Sequence, residues 1–180
     1  MYGMVNKAIE EMVCTGFGEE TWQRIKAEAG VEEEVFISTE GYPDAVTYDL
    51  VGAASRLLNQ PATEILDRFG RHWVLRTARE GYGDLMNSNG TTLAEFLQNL
   101  PNFHARVRLI FPNLVPPTFR VTDVTASSLV LHYHSQRSGL QPFVIGLLHG
   151  LGEMFATPLA IEQTVRKGEG ADHDAFRLSW

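Results

Sequence analysis

The hydrophobic period changes once along this chain, at PNLVPP (residues 112–117), and that change restricts the folds open to it. Before it, apolar residues recur every three or four positions: Val5, Ile9, Met12 and Val13; Trp22 and Ile25; Ile65, Leu66, Phe69 and Trp73; Leu93, Phe96, Leu97 and Leu100. Such spacing lines up one face of a helix. After it, the period falls to two over residues 118–124, 127–135, 158–166 and 173–180, as in half-buried strands. An apolar helix from Gln141 to Phe155 separates the second strand from the third. Helices followed by a roughly four-stranded antiparallel sheet with one helix inserted predict an α+β fold.

Breaker residues place the boundaries. Gly16 and Gly18 close the first helix, and a later helix starts at Asp44 or Ala45 and runs to Leu58, ending at Asn59. Pro61 suits the first turn of the next helix, which Gly81 and Gly83 are expected to end. Pro101 breaks or restarts the helix that begins at Thr91, because proline lacks a backbone donor. Only KGEGADHD (residues 167–174) reads as a flexible excursion.

Charge and cysteine content exclude several functions. A net charge of −7 with no basic run argues against nucleic acid, whose binding is built on clustered Lys and Arg. The single cysteine, Cys14, builds neither a disulfide nor a multi-cysteine zinc site. Glu10 and Glu11 interrupt the N-terminal apolar run where a signal peptide would continue it, and no stretch approaches 18 uncharged apolar residues. The expectation is a cytoplasmic protein without membrane insertion.

Within LHYHSQRSGLQPF (residues 131–143), Tyr133, Ser135 and Arg137 stand at alternate positions and share one face if the segment is extended, with Leu129 and Leu131 ahead of them. An ordinary half-exposed strand would carry the same residue types. The alternative is a carboxylate clamp, since arginine offers a planar fork and the hydroxyls complete the hydrogen bonding. His104 continues the apolar phase of Leu93, Leu97 and Leu100, so its ring points inward either as a hydrogen-bonded core residue or as the single protein ligand of a haem iron. His132 and His134 lie on the face opposite the clamp. They form a possible metal pair with no third ligand evident in the sequence. His72, His149 and His173 have no supporting pattern. One inward histidine, a carboxylate clamp about thirty residues later and many large apolar side chains together describe a haem pocket.

MYGMVNKAIEEMV, YDLVGAASRLL, EFLQNLPNFH, PPTF, YHSQR and PFVIGLLHGLGE occur in the order and with the spacing of the haem nitric oxide/oxygen binding (H-NOX) family, which the chain resembles over nearly its whole length. That family includes the sensor domain of soluble guanylate cyclase. The resemblance implies non-covalent haem b (protoporphyrin IX iron) buried between a helical subdomain of about residues 1–62 and a subdomain of about residues 63–180 carrying the proximal helix and sheet. By the same resemblance His104 is the proximal iron ligand, Tyr133, Ser135 and Arg137 hold the propionates, and Pro117 distorts the haem. Val5, Ile9, Trp73, Phe143 and Leu147 then line the distal pocket or touch the haem. Members that hold oxygen stably carry tyrosine where this chain has Phe143, which favours nitric oxide and carbon monoxide; the Trp73 indole N–H remains a possible donor. Pro101 is a second departure, and the cysteine-ligated zinc of some relatives cannot form from Cys14 alone.

The implied function is gas sensing without catalysis, nitric oxide releasing the proximal histidine. Because the chain ends after its last strand, the signal is expected to pass to a separate effector, a histidine kinase or an enzyme of cyclic-di-GMP metabolism. Two other readings stay open at this point. One is a metal-dependent hydrolase using His132 and His134; the other is a carrier of an acidic lipid or another tetrapyrrole.

Overall fold

In the computed structural model, which describes residues 1–180, the N-terminal helices are α1 (Gly3–Phe17), α2 (Glu19–Glu28) and α3 (Asp44–Leu58). Their apolar stripes meet in a core that includes Ile9, Trp22, Ile25, Phe36 and Leu50, each 2% exposed or less. Burial of each such side chain contributes roughly 1.5–3 kcal/mol. Asn59 ends α3 in a left-handed conformation (φ 51°), which asparagine tolerates better than most residues.

The next helix corrects the sequence reading. It does not end at Gly81 and Gly83: α4 (Ala62–His72) continues through a π-helical segment (Trp73–Ala78) into α5 (Arg79–Asn87). The interruption expected from the glycines is confined to one residue, Tyr82, at φ −140° and ψ 24°. Packing outweighs the local preference here, because Val74 and Ala78 upstream and Met86 downstream are all buried in one core.

Two short helices follow, α6 (Leu93–Gln98) and α7 (Leu100–Ile110). Thr92 caps α6 by accepting from the Glu95 backbone N–H, and Glu95 accepts in return from Thr91 N–H and Oγ1. Pro101 restarts the chain as α7 and does not kink it, since it lies in the first turn where no intrahelical donor is lost.

Strands β1 (Thr118–Thr122), β2 (Ser128–His134), β3 (Ala160–Val165) and β4 (Asp174–Ser179) form one antiparallel sheet in the order β1-β2-β4-β3. Leu129, Leu131 and Tyr133 point from β2 into a second core with Leu97, Phe119, Leu148, Phe176 and Leu178. Helix α8 (Gln141–Met154) spans the two cores by crossing α4 at very short range. A Cβ on Gly146 would lie 1.9 Å from the Asp67 carbonyl oxygen, and one on Gly70 would lie 2.2 Å from that of Phe143. Only glycine permits this approach. Residues 167–174 are not a loose excursion: Lys167 bridges to Ala171, and the Asp174 carboxylate accepts from Lys167 N–H and from Gln163 Nε2.

Candidate functional site

His104 sits on α7, half-buried, with its ring centroid 5.7 Å from Phe119 and 5.9 Å from Phe103. No protein group hydrogen-bonds to it, and burial pushes its imidazole down to about 4, so the ring is neutral near pH 7 with a free nitrogen lone pair. Buried core histidines are mostly hydrogen-bonded, and this half-buried ring has no protein partner.

Phe119 leads from His104 to Tyr133, with centroids 5.4 Å apart. Tyr133 is 4% exposed, and burial raises its phenol above the usual value, so it remains a protonated donor. The extended row is shorter than the alternation suggests. β2 ends at His134, and beyond it the Ser135 Oγ accepts from the Arg137 backbone N–H at 3.1 Å, which closes a turn. Ser135 and Arg137 therefore leave the strand. Arg137 turns its fork to Asp44, the first residue of α3, through Nε to Oδ2 at 2.7 Å and Nη2 to Oδ1 at 3.3 Å. Its Nη1 also donates to the Val115 carbonyl at 3.2 Å. The N-terminal amine donates to Asp44 Oδ1 at 2.7 Å, and the Tyr48 hydroxyl donates to the Ser138 carbonyl at 2.9 Å. Burial alone would raise the Asp44 carboxyl, but hydrogen bonds and charge from Arg137 and the amine hold it below the usual carboxylate range. A guanidinium has five N–H groups, so two remain to meet an anion.

On the other side of α4 and α8, Phe143 packs on Phe69 at 5.1 Å, and Phe69 meets Trp73 edge-on at 6.0 Å. Val5, Phe143 and Trp73 are partly buried at the rim of the helical core, Trp73 touching both cores, while Leu147 packs against the sheet core. Ile9 is 1% exposed and lies inside the helical core. Pro117 is half-buried just before β1. This donor set fits a haem: one free neutral imidazole beside aromatic rings, a buried hydroxyl, spare guanidinium donors, and partly buried apolar side chains on both cores. A surface groove of about 870 Å³ between α4, the start of α8 and residues 163–169 is lined mainly by charged and polar side chains and contains none of these residues.

Asp44 and Tyr48 carried no signal in the sequence beyond an acid at a helix start. Their partners lie 93 and 90 residues away. His173 likewise joins His132 and His134 only through strand pairing.

A family model described as haem-NO-binding matches residues 2–163. Soluble guanylate cyclase gcy-33 of Caenorhabditis elegans is 30% identical over 155 residues, 86% of this chain and 16% of its own length. Soluble guanylate cyclase gcy-31 of the same species is 28% identical over 163 residues, 90% of this chain and 23% of its own. The chain thus spans about a quarter or less of these relatives. Among solved structures, an H-NOX protein from S. oneidensis in the Fe(II)NO state superposes with a TM-score of 0.90 at 19% identity, covering 99% of this chain and 98% of that one. Unliganded Fe(II) H-NOX from K. algicida gives 0.86 at 24% identity, covering 99% and 96%. The extent of the family match, on this α+β fold, establishes that the chain belongs to the haem-NO-binding (H-NOX) family of haem-binding gas-sensor domains.

Proposed function

We propose that this protein senses nitric oxide, also binds carbon monoxide, holds no lasting oxygen complex, and signals to a separate effector without catalysing a reaction itself. The observation that carries this reading is the neutral, unpartnered imidazole of His104 on a short helix that packs on the sheet. When bound, non-covalent haem b supplies a ferrous iron that takes a diatomic gas. His104 offers the one protein ligand. Tyr133, Ser135 and the free donors of Arg137 hold the propionates, and Pro117 bears on the macrocycle. Val5, Ile9, Trp73, Phe143 and Leu147 keep the gas side apolar. Phe143 has no hydroxyl to donate, so polarised oxygen gains little there, while nitric oxide needs less help.

Signalling runs through the attachment of His104 to α7. His104 would hold the iron from α7, and release of its imidazole on gas binding would free α7 to move. The units of about residues 1–62 and 63–180 then shift about the α4 and α8 crossing. A gas biases such an equilibrium only if it favours one arrangement, and loss of the His104 tether supplies that difference. The effector is a histidine kinase or a cyclic-di-GMP enzyme, reached in the cytoplasm.

Absorption spectroscopy of the purified ferrous protein tests the reading. A Soret band that shifts with nitric oxide and carbon monoxide, and no lasting oxygen spectrum in air, is expected. A colourless protein that fails to take up haemin overturns the haem assignment, and a stable oxygen complex overturns the distal argument.

A further inference from the structure

On the outer face of the sheet, away from the core, antiparallel pairing gathers side chains that are far apart in the sequence. β2 and β4 pair through Tyr133 and Asp174, so His134 and His173 meet one step beyond that pair. Their rings stack with centroids 4.4 Å apart and planes 20° from parallel. The Asp172 Oδ1 lies 2.7 Å from His173 Nδ1. One ligating atom from each of His134, Asp172 and His173 falls within 4.8 Å of the other two.

A supporting layer stands behind them. His173 Nε2 lies 3.0 Å from His132 Nδ1, and His132 Nε2 lies 2.9 Å from Thr122 Oγ1, which donates to Asp123 Oδ2 at 3.1 Å. Arg120 pairs with His132 across the β1–β2 register, so a positive charge also faces this side. His132 and His173 are both half-buried, which a freely solvated histidine row would not require.

We propose that His134, Asp172 and His173 bind a divalent transition-metal ion of the zinc type, with water completing the shell. Two imidazoles and one carboxylate match the ligand preference of zinc, and no cysteine is involved. Binding at His173 Nδ1 displaces the proton that Asp172 otherwise accepts. The remaining N–H at Nε2 then donates to His132 Nδ1, His132 Nε2–H donates to Thr122, and the Thr122 hydroxyl donates to Asp123. Every donor in this chain has an acceptor, and both histidine tautomers are fixed, as outer hydrogen bonds fix ligating histidines elsewhere. The ion ties the β3–β4 connection to the end of β2, next to Ser135, whose carbonyl already accepts from Lys167 Nζ at 2.5 Å.

The test is independent of gas binding. Tag-free protein as purified is stripped with chelator, dialysed against zinc sulfate, and analysed for zinc and iron in the same sample by mass spectrometry. About one zinc per chain is expected. His134→Ala and His173→Ala should each weaken zinc binding by about tenfold or more, while His149→Ala, which removes a histidine paired with Asp67 elsewhere, leaves it unchanged. Zinc-edge X-ray absorption of the wild type, which does not depend on any variant folding, should show imidazole scattering. Loss of zinc from a sample that keeps its iron and Soret band counts against this site alone. An all-oxygen zinc shell, no retained zinc, or zinc retention as strong in the His134 and His173 variants as in the wild type overturns the proposal.

Discussion

The link between Asp44 and Arg137 ties the start of α3 to the turn after β2, and a double-mutant cycle measures what it contributes. The side chains are 28% and 39% exposed for Arg137 and Asp44, so the large penalties of fully buried pairs do not apply. Exposed pairs contribute about 0.2–1 kcal/mol, and two parallel charge-assisted bonds place this one near the top of that range, at about 1 kcal/mol. Urea unfolding of wild type, Asp44→Asn, Arg137→Ala and the double variant, at equal protein and haem concentrations, should return that coupling. The corresponding fall in Tm is about 2–4 °C for a chain of this length. The pH dependence follows from the depressed Asp44 carboxyl, where opposing burial is outweighed by Arg137 and the N-terminal amine. A depressed folded value means the contribution is fully present above the unfolded aspartate value of about 3.9 and is lost as pH falls through the folded value. The coupling should therefore hold at pH 7 and shrink below about pH 4. A coupling under about 0.3 kcal/mol at pH 7, or one that persists unchanged in acid, refutes the reasoning.

Arg137→Ala should weaken haem retention, measured by transfer to apomyoglobin, more than His132→Ala, because only the first removes a guanidinium from the candidate propionate clamp; equal transfer rates would count against it. Phe143→Tyr should lengthen the lifetime of an oxygen complex by adding a donor on the gas side, read from the decay of the oxygenated spectrum. Gly146→Ala forces a Cβ to within 1.9 Å of the Asp67 carbonyl, so α4 and α8 must separate. A loss of about 1–3 kcal/mol in urea unfolding is expected, and a neutral result would mean that the crossing is looser than the structure has it.

The change of hydrophobic period made the α+β order legible, and capping and breaker residues fixed most boundaries to within a few positions. What failed to read were places where a distant partner decides a local question. Gly81 and Gly83 look like a helix end, yet buried Val74, Ala78 and Met86 carry the helix through them. Tyr133, Ser135 and Arg137 look like one extended row, yet the Ser135 hydroxyl captures the Arg137 N–H and ends the strand. The alternation that put His132 and His134 on one face was visible in the sequence because period two depends on a strand's own residues. Which residues face them depends on register against β4, and a one-residue slip would place Asp174 or Asp172 where His173 now stands. That register is held by the inner face, where Leu129 pairs with Leu178 and Leu131 with Phe176, every one of them at most 1% exposed. Slippage would expose these side chains, so the apolar face of the sheet fixes the polar cluster on its other side.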